Sequence, residues 1–98
     1  MALRDDATLL ILTSLAEGPK HGYAMIEDIQ RITGVRLGPG TLYGAIGRLE
    51  AEGMIEALQS DDRRRPYRIT ARGSQRLKAE ISGMKGLVDV GLRRLKRA

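Results

Sequence analysis

Three consecutive arginines, Arg63, Arg64 and Arg65, lie between Ser60-Asp61-Asp62 and Pro66 in this chain of 98 residues. A guanidinium is a planar fork of N–H donors that matches the oxygens of a phosphate, so three in a row on a polar turn suit a polyanion. The surrounding charge points the same way. Residues 1–60 carry 5 Lys/Arg against 8 Asp/Glu, whereas residues 61–98 carry 12 against 4. From Arg63 to Lys78 there are seven basic residues and no acidic one. Such a local excess attracts nucleic acid more strongly than the net charge of +5 conveys. The alternatives are a solvated charge run near Asp61 and Asp62, and a GC-rich genome as the cause of 13 Arg against 4 Lys.

A second group of donors sits on the segment that begins Pro39-Gly40-Thr41-Leu42-Tyr43. The hydroxyls of Thr41 and Tyr43 can bond phosphate or base edges, and Arg48 can reach a phosphate or pair with Glu52 four residues on. Gly44 and Gly47 between them weaken a helix by roughly 1 kcal/mol each. Close approach of a foreign backbone, such as a phosphodiester chain, gives them a reason; tolerated surface glycines are the plainer alternative. Lys20 and His21, ahead of another helix, can donate to phosphate, although a structural hydrogen bond in the turn would occupy His21 equally well. Tyr23, beside Met25 and Ile26, is expected in the core.

The elements that must position these groups follow from periodicity. A first helix over Asp5 to Ala16 is apolar on several sides (Leu9, Leu10, Ile11, Leu12, Leu15), the pattern of an element buried around most of its circumference. A second, from His21 to about Ile32, repeats Met25, Ile26, Ile29 and Ile32 at helical spacing and ends at Gly34. Pro39 fits the first position of a third helix, whose stripe Leu42, Ile46 and Leu49 turns inward and leaves Thr41, Tyr43, Gly44, Gly47 and Arg48 outside. Met54 to Gln59 and Tyr67 to Thr70 are short strands around the arginine turn, a two-stranded hairpin. Adjacent Met54 and Ile55 leave its register open.

Thr70 is a good N-cap for a last helix running from Ala71 to the end. Its residues Leu77, Ile81, Met84, Val88, Gly91 and Leu95 recur at spacings of four and three, a narrow seam in the coiled-coil manner. Such a helix outruns a core of this size, so its seam needs a cover, and a second copy of the chain is the simplest one. Gly83, Gly86 and Gly91 weaken it. The predicted fold is mainly α with a small two-stranded β-wing: a winged helix-turn-helix over residues 1–70 and a dimerisation helix over residues 71–98. In that architecture the third helix enters the DNA major groove.

Composition excludes other chemistry. There is no Cys, and His21 is the only His, so disulfides, thiolate metal sites and Cys nucleophiles are ruled out, and no cofactor or metal is expected. No phosphate-loop pattern or paired-carboxylate constellation indicates an enzyme. Tyr is the only aromatic, present three times, so the core must be aliphatic. No apolar run exceeds the four residues Leu9 to Leu12, far below the roughly 20 residues of a membrane span, and the expected setting is cytoplasmic, associated with the nucleoid.

Four segments in this order, His21-Gly22-Tyr23, Pro39-Gly40-Thr41-Leu42-Tyr43, Arg48-Leu49-Glu50 leading to Gly53-Met54-Ile55, and Arg63-Arg64-Arg65-Pro66-Tyr67-Arg68-Ile69-Thr70 followed by Gly73, resemble PadR-type transcriptional regulators. The resemblance spans about Leu10 to Glu80. It implies a dimeric repressor on a pseudo-palindromic operator, with the first and last helices forming the dimer interface. Leu9 and Leu12 would then join Leu77, Ile81, Met84, Val88, Leu92 and Leu95 in that interface. It also implies release by a small effector in some members, phenolic or cationic. The chain has no Trp to stack a planar drug, and its single C-terminal helix is similar to the short subfamily. No effector is therefore carried over.

The leading expectation is a homodimer bound to double-stranded DNA. A protein-interaction module that recruits a different partner through the Leu77–Leu95 seam is the alternative. A basic membrane-surface helix over Gly86 to Ala98, with Arg93, Arg94, Lys96 and Arg97, is a third, set against by its few bulky apolar residues.

Overall fold

The computed structural model describes residues 6–60 and 63–97. The expectations that fall on Asp5, Asp61, Asp62 and Ala98 lie outside the described residues. In chain order the elements are α1 (Ala7–Leu15), β1 (Lys20–His21), α2 (Gly22–Thr33), α3 (Pro39–Ala51), β2 (Ile55–Ala57), β3 (Pro66–Ile69) and α4 (Ala71–Arg97).

α1 begins where the Asp6 carboxylate accepts the Leu9 N–H at 3.3 Å, satisfying one of the donors a helix start leaves open. It carries almost no polar face and lies at the centre of the core, with Ile11 and Leu15 sealed from solvent. Met25 and Ile29 of α2 and Leu42, Ala45, Ile46 and Leu49 of α3 close over it. α2 stops at Gly34, which adopts the left-handed conformation at φ +77° and donates its N–H to the Gln30 carbonyl at 2.8 Å. Ile32, expected on the same apolar stripe, is exposed, because the last turn of α2 extends past the elements that cover the rest of the stripe.

The expected two-stranded ribbon gains a third strand. The sheet order is β1-β3-β2, all antiparallel, with Lys20 opposite Tyr67, His21 opposite Pro66, and Ile55, Glu56 and Ala57 opposite Ile69, Arg68 and Tyr67. Two residues are too short to show a two-residue period, so β1 has no signature in the sequence. Its position is held by a buried polar cluster. The Ser14 hydroxyl of α1 donates to the Asp28 carboxylate of α2 at 2.7 Å, while the Lys20 ammonium donates to the Ser14 carbonyl and pairs with Glu17 at 2.8 Å and Asp28 at 3.8 Å. Arg31 covers the other oxygen of Asp28. A buried carboxylate is stable only when charges and donors surround it in this way.

Thr70 joins the wing to α4. Its hydroxyl accepts the Gly73 N–H at 3.1 Å and donates to the Gly53 carbonyl at 2.7 Å, and its N–H donates to the Met54 carbonyl at 3.0 Å. Gly73 is obligatory there: a Cβ would collide with the Met54 carbonyl and come within 2.9 Å of Ile69 Cγ1. α4 then runs unbroken for 27 residues, about 40 Å, with nothing buried beyond Leu77. The radius of gyration is 15.1 Å, against about 13 Å for a compact chain of this length.

This arrangement corrects three interface assignments. Leu9, Leu12 and Leu77 are 6%, 2% and 7% exposed, taken up by the chain's own core and not available to a second copy. Ile81, Met84, Val88, Leu92 and Leu95 do lie exposed on α4, and Leu87 joins them.

Candidate nucleic-acid interface

α3 divides cleanly. Its inward stripe is sealed, while Thr41, Tyr43, Gly44, Gly47 and Arg48 face solvent. Around Gly47 the space is open, and beyond Gly44 only the Arg48 guanidinium approaches, 3.8 Å from where a Cβ would stand. Arg48 does not pair with Glu52 among the described residues, since Glu52 faces Arg76 of α4 at 3.7 Å.

At the N-terminal half of this exposed face, Tyr43 borders a surface cavity of about 280 Å³ shared with Arg63, Arg64 and Arg65 of the wing. His21, Gly22, Tyr23 and Tyr67 complete its wall. The fold thus brings the wing arginines, Tyr43 and His21 together on one side, and the α3 groups Thr41, Gly44, Gly47 and Arg48 continue from it. No ion pair among the described residues engages Arg63, Arg64 or Arg65. Other basic residues of the same run are occupied: Arg68 pairs with Glu56 directly across the β2–β3 ribbon, and Arg76 with Glu80 at 2.7 Å.

Lys20 does not belong to this surface. Its side chain is 13% exposed, and its ammonium is committed to Ser14, Glu17 and Asp28, so it serves to anchor β1. His21 takes the structural hydrogen bond expected of it in the turn. Its Nδ1 accepts the Ala24 N–H at 3.3 Å as the N-cap of α2, and the residue borders the cavity.

Two further tyrosines border this surface, and the sequence does not assign them to it. Tyr23, expected in the core, is 55% exposed, because α2 turns Met25 and Ile29 inward and leaves position 23 on the outer side. Tyr67 is buried beneath the cavity, its phenol raised above the ordinary value of 10.0 first by burial, then by the Glu50 charge, with Arg65 opposing. At Gly22 a Cβ would stand 2.8 Å from Cζ of Tyr43 and 3.2 Å from Cδ2 of Leu42, so the missing side chain is what lets Tyr43 lie on the first turn of α2. A signal existed: the tyrosines of a chain without Phe or Trp each lie within two residues of a suspected contact, Tyr23 after His21 and Tyr67 after Arg65.

A helix pair with an exposed second face, flanked by a β-ribbon, defines a winged helix-turn-helix protein. The model of the transcriptional regulator PadR-like family matches residues 11–79. Over 80 residues the chain is 45% identical to an uncharacterized 37.1 kDa protein in transposon TN4556 of Streptomyces fradiae, spanning 82% of this chain and 23% of that one. It is 41% identical over 68 residues to the transcriptional regulator Rv3488 of Mycobacterium tuberculosis, spanning 66% of this chain and 63% of that protein. A transcriptional regulator from Clostridium thermocellum has a similar structure, with a TM-score of 0.79 at 31% identity, covering 90% of this chain and 88% of the other. The protein belongs to the PadR-like family, a family of transcriptional regulators and not of enzymes. No helix among the described residues is long and apolar enough to cross a membrane.

Proposed function

We propose that the protein is a homodimeric, sequence-specific DNA-binding repressor, with α3 in the major groove and the arginine wing on the adjoining backbone. The observation that carries this reading is the shared border of Tyr43 and Arg63–Arg65 on one exposed side of the molecule. Thr41 and Tyr43 lie in the N-terminal part of α3, where a recognition helix meets base edges. Gly44 and Gly47 leave room for the groove, and Arg48, the wing arginines and His21 supply donors to phosphate.

The second copy docks on α4. Ile81, Met84, Leu87, Val88, Leu92 and Leu95 are 38% to 74% exposed, and an apolar row of that length is stabilised by a matching row. Dimerisation through α4 places two recognition helices on successive major-groove faces, about 34 Å or roughly 10 bp apart, so the operator is an inverted repeat. Binding to chromosomal DNA places the protein in the cytoplasm, on the nucleoid. Release by a small effector would work by changing the angle of α4 at its Thr70–Gly73 base, and only as far as the effector binds the two arrangements differently.

Gel-shift titration on the promoter of its own operon at two salt concentrations tests this. The expected result is a clear preference over random duplex; equal affinity for both at each salt overturns sequence-specific repression. Charge reversal of Arg63, Arg64 and Arg65 to Glu should flatten the log–log salt dependence by about three units if each meets one phosphate. An unchanged slope removes the wing from the interface and favours a protein scaffold.

A further inference from the structure

We infer that the cavity between α2, α3 and the wing is also a binding site for a small phosphate monoester carrying one planar ring, and that such a ligand and duplex DNA exclude each other there. The exclusion rests on the DNA-binding reading above; the binding does not.

The first support is where the aromatic side chains are. The chain has three tyrosines and no Phe or Trp, and all three line this one cavity, Tyr67 from within the otherwise aliphatic core and Tyr23 and Tyr43 from outside it. Tyr23 and Tyr43 are 55% and 54% exposed, so core packing does not account for them. Exposed aromatic faces stack flat rings, and phenol hydroxyls donate to oxyanions. The second support is charge. Three guanidiniums without an ion-pair partner among the described residues stand on the same rim and offer more N–H groups than a single carboxylate can accept, which favours the dianionic, three-oxygen head of a phosphate monoester. Tyr67 beneath them keeps its proton well into alkaline solution and remains a donor. The third is size. At about 280 Å³ the cavity stands just below the lower end of ligand sites, roughly 300 Å³, room for one ring and one oxyanion but not for a multi-ring compound.

The test titrates the full chain with phenyl phosphate and, separately, with inorganic phosphate at constant ionic strength, following the tyrosine ring signals by NMR. Three tyrosines are assigned from three Tyr→Phe variants. Phenyl phosphate should shift the Tyr23 and Tyr43 signals and bind about tenfold more tightly than inorganic phosphate, the increment of one stacked ring. Tyr23→Ala should erase that preference, and Arg64→Ala should weaken both ligands; both side chains are exposed, so neither change disturbs the core. Equal affinity for the two phosphates, or tyrosine signals that stay in place, overturns the site. A labelled duplex then reads the exclusion: displacement by phenyl phosphate supports it, and simultaneous occupancy overturns it. If no duplex binds at all, the DNA-binding reading fails while the titration without DNA still decides the cavity.

Discussion

α1 and α4 draw on the same aliphatic residue types and end in opposite environments. Of the nine residues of α1, seven are buried, whereas among the 27 residues of α4 only Gly73 and Leu77 are. The difference lies in arrangement. α1 is apolar around its circumference and is surrounded by α2, α3, β3 and the base of α4, so each leucine there contributes the roughly 1.5–3 kcal/mol of full burial. α4 confines its apolar residues to a stripe among Arg, Lys and Asp, and from Ile81 onward that stripe stands exposed. Hydrophobicity states what a side chain requires; whether one chain or two supply it depends on reach.

The contrast can be broken most forcefully in α1. Ile11→Ala should lower unfolding free energy by about 2–5 kcal/mol in urea titration, since the surrounding helices cannot collapse into the space. A loss as small as that of a surface change would mean that α1 is not the centre of the core. Next comes the joint between the two regions. Gly73→Ala should cost about 1–3 kcal/mol in urea titration by driving α4 away from the Met54 carbonyl. Ser14→Ala should cost about 1.5 kcal/mol by removing a hydroxyl donor from the buried Asp28 carboxylate.

In α4 the same kind of change should act on association instead. Leu92→Asp is expected to shift urea unfolding of the monomeric form by under about 0.5 kcal/mol while converting a sedimenting dimer to monomer. A dimer that survives it would place the second copy elsewhere. The smallest effect concerns pH. Tyr67 has its folded value raised, so its contribution is complete below 10.0 and is lost as pH climbs past that point, where the unfolded chain ionises first. Comparison with Tyr67→Phe by thermal unfolding across that range should show the parent losing stability faster.

Much of this was legible in the chain. Pro39, Gly34 and Thr70 mark helix ends through backbone geometry and capping chemistry that act within a few residues, and the Leu42, Ile46, Leu49 stripe reveals which side of α3 points outward. For Lys20 the sequence shows only a lysine beside a histidine ahead of a helix, the chemistry of a phosphate contact, whereas the fold shows Asp28 and Glu17 holding its ammonium. The resemblance assigns Leu9 and Leu12 to a partner and the seam's periodicity assigns Leu77, yet neither specifies the cover, and all three are taken up by the chain's own core. The neighbours of Tyr23, Met25 and Ile26, suggest a buried position, whereas the rotation of α2 turns it outward.

By itself the order of residues determined the helices, their ends, the wing and the concentration of positive charge, because local propensity and periodicity depend on neighbours a turn or two away. The gathering of Tyr23, Tyr43, Tyr67 and the three arginines around one cavity was decided by tertiary structure alone. Those residues come from three separate stretches of chain, and only the packing of α2 on α3, with β1 paired to β3, sets the distances between them.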